Sequence, residues 1–567
     1  MPYIRNISIL LIFMVTLSNN SFCQKELNTD NKKAIRKYHK ALEQMNNFNN
    51  AEAKNNLIEA ISADSNFTEA YLLLADMYHY NSEFSKEVEL YRKLSDRIDI
   101  RYPQFYFSWG QTEFLLGNYK ESQNCLRKFI SIDPANNLTI EQANKILLNC
   151  EFAINSINNP VMFKPSNLGD SINTLFDEYF PSISADGEIL VITSRIPIDD
   201  YSKYSIRNSQ EDFLISNFHD GKWNKASNLG IPVNTKANEG AQSLSADGKL
   251  MYFTACGKAN GLGSCDIYLS ENTGPNWSFP INLGPPVNSI YWESTPSISA
   301  DGHTLYFSSN RPGGFGKMDI WKSTLKQNGK WSEPVNLGSK INSIGDELAP
   351  FIHSDGQSLY FSSNGLTGMG GFDLFIAHLD SNGLWNETAN LGYPINTYRD
   401  EQSIVVNSIG NLAFFSSDRI SEKGKDIYSF ELAVEVQPRK NKNWISGKKI
   451  IPGESVVLNN VFFRTDSYEL DSISYTELEE LYNFLRENQE IHIEIRGHTD
   501  NTGSRDYNLE LSVKRARAVY MYLSNKGIEL ERIRYKGFGS TIPRSDNNTE
   551  EGKALNRRTE FKIIQEL

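Results

Sequence analysis

Long apolar stretches are scarce in this chain of 567 residues. The run near the start, Ile7 to Leu17, is too short to span a bilayer, and nothing later approaches the roughly 20 consecutive apolar residues that a transmembrane helix needs. Cysteine is nearly absent, with five residues, and histidine is sparse, with eight. No group of them has the spacing of metal ligands, so neither a metal nor another cofactor is expected. An excess of positive charge is also missing: 57 Lys and Arg stand against 69 Asp and Glu, a net charge of -12 spread along the chain. That balance argues against nucleic acid and against a polybasic membrane anchor. A Ser-His-Asp constellation, a phosphate-binding glycine loop and a dinucleotide fingerprint are lacking too, which points away from an enzyme.

The first 23 residues read as a signal peptide: Arg5, the apolar run, then polar Ser18 to Ser21, with small residues at Ser21 and Cys23 suited to cleavage before Gln24. A lipid-modified Cys23 would want a small residue where Phe22 stands, so a Sec-exported mature protein is favoured over a lipoprotein. Four cysteines remain after cleavage, and Cys256 and Cys265 bracket one glycine-rich loop, as a local disulfide in an oxidising compartment would. Cys125 and Cys150 leave two readings open, a bridge between helices or two buried apolar residues.

Three patterns follow along the mature chain. From residue 24 to 158 apolar residues have helical spacing, and Leu57, Tyr91 and Leu126 recur 34 and 35 residues apart. With Trp109, Gly110, Tyr119, Leu126, Phe129 and the closing Asp133-Pro134, the third unit resembles a tetratricopeptide repeat. Stacked helical pairs of this kind hold partner peptides or act as spacers.

From 160 to 434 a second repeat takes over. Ser-Ala-Asp-Gly at 184–187 returns at 245–248 and 299–302, and Ser-Asp-Gly follows at 354–356. Each copy continues with an alternating strand, a glycine-rich loop, and Asp with an aliphatic and an aromatic residue, beginning at Asp266, Asp319, Asp373 and Asp426. Most copies close on a Trp strand and Asn-Leu-Gly, as at Trp331 to Gly338. Asp-Gly between alternating runs marks a hairpin, and four short strands per unit describe a propeller blade. A fifth copy, Ser403 to Leu432, lacks its Trp strand, and the orphan Phe163 to Gly169 matches a closing strand, so the expectation is a closed five-bladed ring. The region resembles the WD-like propeller repeats of bacterial envelope proteins and, more distantly, the TolB propeller. Residues 435–455 read as a basic linker.

The last part, 456–567, has a strand, helix, strand, helix, strand pattern. Val461-Phe462-Phe463 reads as extended, and Ser474 with Glu477 forms a capping box ahead of the apolar face Leu478, Leu481, Tyr482 and Leu485. A second strand, Ile491 to Ile495, runs into Gly497-His498-Thr499-Asp500-Asn501-Thr502-Gly503. This loop, with Asn508, Leu511-Ser512, Arg515-Ala516 and Asn556-Arg557-Arg558, resembles the OmpA C-terminal family across residues 461–562. The resemblance implies an α/β sandwich that grips peptidoglycan noncovalently at the diaminopimelate of its stem peptide, through Asp500 and Arg515. A group presenting ammonium and carboxylate together suits one fixed anion and one fixed cation. By the same resemblance Thr499, Asn508 and Arg557 are secondary contacts, and Asp466 closes the pocket. The bland alternative is that Asp500 and Arg515 simply pair with each other, and His498 is assigned no chemistry.

Five-bladed propellers include glycosidases, so the glutamates at 178, 239, 293, 347 and 401 need weighing. They recur in one register of the repeat. An acid and a base need unlike surroundings to separate their pKa values, so carboxylates that obey the symmetry are read as structural, with cation binding as the lesser reading. The order of domains resembles OmpA-family envelope proteins of Bacteroidetes-type bacteria, some of which anchor the type IX secretion machinery. The resemblance implies a periplasmic, outer-membrane-associated scaffold, with peptidoglycan under the last domain and envelope or secretion-system proteins on the repeats and propeller. The competing expectation is a wall-held propeller that binds or cleaves a glycan.

Overall fold

The computed structural model describes residues 27–98, 102–133, 137–197, 209–274, 276–326, 328–380, 382–386, 388–419, 424–439, 453, 455–458, 461, 463, 468–470 and 474–564. The signal peptide and Asp466 lie outside the described residues. Backbone packing divides the chain into two compact units. One is residues 1–160 with the short segments 367–371 and 397–400, and the other holds the five β-sheets and the C-terminal domain.

The first unit contains the helices Lys32–Asn46, Asn50–Ala63, Thr68–Tyr80, Phe84–Leu94, Gln104–Leu115, Tyr119–Ile132 and Asn137–Asn158. Leu57, Tyr91 and Leu126 sit on the second helix of successive pairs, each buried, which is the physical content of their period. Gly110 lets one pair close up, because a Cβ there would stand 2.7 Å from Leu126 Cγ. Glu113 is fully buried, yet each of its oxygens has donors: Trp109 Nε1 (2.9 Å) and Arg92 Nη2 (3.1 Å) on one, Asn118 Nδ2 (2.6 Å) on the other. Cys125 and Cys150 are buried free thiols, so of the two readings the bridge is not the one adopted.

Among the described residues between 166 and 431, the strands form five antiparallel sheets. Their first strands are Asp177–Ile183, Asn238–Leu244, Glu293–Ile298, Glu347–Ile352 and Ile404–Val406. Consecutive first strands pack side by side, and the last also packs against the first. Ser166–Asn167 is the outer strand of the fifth sheet, pairing with Asp426–Glu431 at Ser166↔Ser429 and Asn167↔Tyr428. The hairpin turns need glycine, with φ of 74°, 66°, 68° and 65° at Gly187, Gly248, Gly302 and Gly356. Serines stitch neighbouring sheets: Ser182, Ser243 and Ser297 hydroxyls accept the amides of Leu244, Ile298 and Ile352 at 3.0–3.1 Å. Cys256 and Cys265 form a disulfide across adjacent strands.

The expected linker is shorter at its front than the sequence indicates. The Tyr360 hydroxyl donates to Val436 O (2.8 Å), and Arg439 Nη1 donates to Leu379 O (2.8 Å), so residues up to 439 are packed onto the sheets. In the C-terminal domain the sheet order is Ser455–Leu458, Thr559–Ile564, His492–Gly497, Ile533–Gly537, with only the last pair parallel. Among the described residues the first strand is Ser455–Leu458; of the segment expected to be extended at 461–463, Phe463 makes an isolated bridge to Leu470 and Phe462 lies outside the described residues. Helices Ser474–Glu487 and Arg505–Asn525 cover one face, burying Leu478, Leu481, Leu485, Ala516, Val519 and Leu523 against Ile493, Ile495 and Phe561. The opposite face of the sheet carries charges that pair along it, such as Glu494 with Arg496 (2.7 Å) and Arg534 (2.9 Å).

Candidate functional site

Strand His492–Gly497 delivers the chain into a loop whose position is set by close backbone approach. A Cβ on Gly497 would stand 2.1 Å from Ser512 O, and one on Gly537 2.5 Å from Val513 N, so the helix Arg505–Asn525 presses directly on two strand ends. Ser512 is fully buried; its hydroxyl accepts the Gly539 amide (2.9 Å) and donates to Leu509 O (2.8 Å). The rest of the loop is pinned from the same helix. Its cap Ser504 accepts the Tyr507 amide, and buried Asn508 donates through Nδ2 to Thr502 O (2.9 Å). Thr499 donates its hydroxyl to Asp500 O (2.9 Å), and its amide donates to Gly539 O (3.0 Å). Thr499 and Asn508 therefore shape the loop with their polar groups.

Asp500 is 8% exposed. Its Oδ1 accepts the Thr502 amide (2.8 Å) and its Oδ2 accepts Arg557 Nη1 (2.8 Å). Burial pushes its pKa upward, but the Arg557 and Thr502 hydrogen bonds outweigh burial and hold it below the usual aspartate value, so the group is an anion at neutral pH. Arg557, at the end of the short helix Glu550–Asn556, also directs Nε and Nη2 to Asp247 Oδ2 at 3.2 and 3.1 Å. Asp247 belongs to the Ser-Ala-Asp-Gly turn of the second sheet. Arg515 lies on the helix that pins the loop, with its guanidinium 5.2 Å from the centre of the Phe463 ring. Thus Thr499, Asp500, Asn508 and Arg557 converge on one loop, and the charge seated on Asp500 in the described contacts is Arg557. The partnership of Arg557 with Asp247 escaped sequence reasoning, because that motif carries only a turn signal.

His498 stacks on Phe538, with ring centres 5.3 Å apart and planes 7° apart, and its Nε2 lies 3.4 Å from Glu560 Oε1. Burial holds its pKa below the usual histidine value, so it is neutral at pH 7 and serves as packing.

The five repeated glutamates occupy a different kind of place. All are buried, and each of the first four takes the amide and hydroxyl of the residue four positions earlier: Thr174, Thr235, Ser289 and Ser343. Arg311 and Arg419 add ion pairs to Glu293 (3.0 Å) and Glu401 (2.9 Å), and Lys258 pairs with Glu239. The cavity between the first strands is lined by neutral residues such as Pro181, Gln242, Ser243, Pro296, Ala349 and Val405, without a carboxylate. These glutamates turn into their own loops, and the lesser, cation-binding reading finds no carboxylate in this lining. Glycines in those loops are likewise structural, since a Cβ on Gly263 would stand 1.8 Å from Tyr291 O.

With that geometry in place, the class is defined by the last domain, an α/β sheet that presents a buried anion on a strand-end loop. Residues 462–557 match the OmpA family, and residues 103–136 match the tetratricopeptide repeat. The C-terminal domain is an OmpA-family domain. Among similar proteins are the probable lipoprotein YiaD of Escherichia coli (strain K12), 33% identical over 136 residues, and the peptidoglycan-associated lipoprotein of Buchnera aphidicola, 34% identical over 101. These alignments cover 23% and 18% of this chain, and 62% and 58% of the relatives. The chain thus spans less than two thirds of either. Among solved structures, the peptidoglycan-associated lipoprotein from Burkholderia pseudomallei is 32% identical, with 18% of this chain and 87% of that one covered at a TM-score of 0.18. Among the described residues no helix is long and apolar enough to cross a membrane.

Proposed function

We propose that this protein is a non-enzymatic scaffold of the cell envelope that binds peptidoglycan noncovalently through residues 456–567. In this reading Asp500 takes the ammonium of a diaminopimelate stem peptide and Arg515 its carboxylate, with Thr499, Asn508 and Arg557 framing the loop. The observation that carries it is Asp500 itself: a nearly buried aspartate kept ionised on a loop that its neighbours hold rigid. Such a group is preorganised for a cation and costs little reorganisation on binding. The similarity to the peptidoglycan-associated lipoprotein of Buchnera aphidicola supports peptidoglycan as what the domain binds.

The five sheets are read as a five-bladed propeller. In support, the first strands neighbour one another in sequence order, the last returns to the first, and Ser166–Asn167 joins the final sheet to the start of the region. Propeller and helical repeats would hold envelope or secretion-system proteins, and the mature chain would work in the periplasm beside the outer membrane. A glycan-cleaving propeller is disfavoured, because the repeated glutamates turn into their own loops and the cavity between the first strands has no carboxylate in its lining. Cosedimentation of the full chain with purified peptidoglycan tests the wall-binding reading. Retention that Asp500→Ala and Arg515→Ala abolish, with circular dichroism unchanged, is the expected result; retention indifferent to both substitutions would refute the assignment.

A further inference from the structure

The short helix Glu550–Asn556 of the last domain is seated on the second and third sheets. Leu555, 6% exposed, is buried in a cluster with Leu250, Tyr252, Leu269 and Trp331, and its Cδ2 comes within 3.4 Å of where a Cβ on Gly302 would be. Two residues on, Arg557 reaches Asp247. In the turns of the first three sheets, Asp186, Asp247 and Asp301 each use Oδ1 in the same way, accepting the serine hydroxyl two residues back and the amide two residues on. The turn itself does not require the second oxygen. At Asp247 that oxygen is given to the Nε and Nη2 edge of Arg557, the edge with which a guanidinium reads a carboxylate.

We propose that Asp247 is a built-in stand-in for a ligand carboxylate, so that the Asp-Gly turn of the second sheet and a carboxylate of the wall peptide compete for the same edge of Arg557. The inference rests on the wall-binding reading above. Arg557 lies beside Asp500, with Nη1 on one carboxylate and Nε and Nη2 on the other, and is 10% exposed in its side chain. In this closed arrangement a ligand meets Asp500 but finds the adjoining cation taken. Only molecules whose Asp247 contact has opened bind fully, which lowers apparent affinity by the open fraction.

The test is cosedimentation of the full chain with purified sacculi that carry diaminopimelate stem peptides, comparing wild type, Asp247→Asn, Asp186→Asn and Asp500→Ala. Asparagine keeps the Oδ1 acceptor the turn needs, so the fold is preserved. Asp247→Asn is expected to tighten binding by about tenfold. Asp186→Asn, the equivalent turn without Arg557, should leave it unchanged, and Asp500→Ala should abolish it. Binding by Asp247→Asn equal to or weaker than wild type overturns the inference and leaves wall binding standing. Failure of both wild type and Asp247→Asn to bind overturns the wall-binding reading and the inference with it.

Discussion

In the sheet region a buried carboxylate is a part repeated from sheet to sheet, while in the C-terminal domain Asp500 holds one on a loop fixed by a neighbouring helix. Glu347 illustrates the first: fully buried, it accepts the Ser343 amide (2.8 Å) and hydroxyl (2.6 Å) and the Ser363 hydroxyl (2.6 Å), all from its own hairpin and loop. Asp500 illustrates the second, taking its charge partner from Arg557, 57 residues later. A carboxylate consumed by local donors closes a loop, and one balanced by a distant cation can exchange that partner for a ligand. The difference distinguishes these two groups where burial does not, since both are buried.

The comparison breaks most visibly if the two roles are swapped. Asp500→Ala should weaken peptidoglycan binding by about a hundredfold or more, the order seen when one partner of a desolvated charge pair is removed, and should leave the sheets folded. Glu347→Ala should do the reverse. It strands three donors and should cost about 3 kcal/mol of stability in chemical denaturation, with peptidoglycan binding retained by the folded fraction. Reduction of Cys256–Cys265, a disulfide with sequence separation 9, should destabilise the sheet region by about 2–3 kcal/mol. Its read-out is the denaturation midpoint with and without reductant.

The smallest effect is a difference in acid response. Burial raises Glu178 to about 7 against an ordinary 4.5, despite hydrogen bonds from Thr174 and Ser194. The folded sheet therefore holds that proton more tightly than the unfolded chain, and this contribution weakens the sheet region as pH climbs from 4.5 through 7. Glu560 goes the other way. Burial raises it, but the bonds from His498 and Arg558 outweigh burial and bring it down to about 2. Its contribution is present above 4.5 and is lost as pH falls toward 2. Hydrogen exchange resolved by region should show the sheet containing Glu178 gaining protection, relative to the C-terminal strand Thr559–Ile564, on mild acidification. Parallel loss in both would count against the assignment.

Much of this organisation was legible from spacing alone. The period at Leu57, Tyr91 and Leu126 marks helix pairs because each of those residues meets the preceding helix, and the recurring Asp-Gly marks hairpins because only glycine takes that φ cheaply. The loop Gly497–Gly503 was legible through its resemblance to the OmpA C-terminal motif, and its first glycine marks a place where backbone meets backbone. What stayed hidden was long-range. Phe463 looks like a strand residue by its neighbours, yet the pairing edge of Thr559–Ile564 is taken by Ser455–Leu458. Arg557 was assigned beside Asp500, but its second partner lies 310 residues away in a turn that the sequence marks only as a turn.

The most direct test is a titration of the full-length protein with purified peptidoglycan, in wild type and Asp500→Ala, both shown to be folded. Saturable retention of the wild type and its loss in Asp500→Ala is the predicted result. Equal retention of the two would contradict the account, because binding would then run through some other surface.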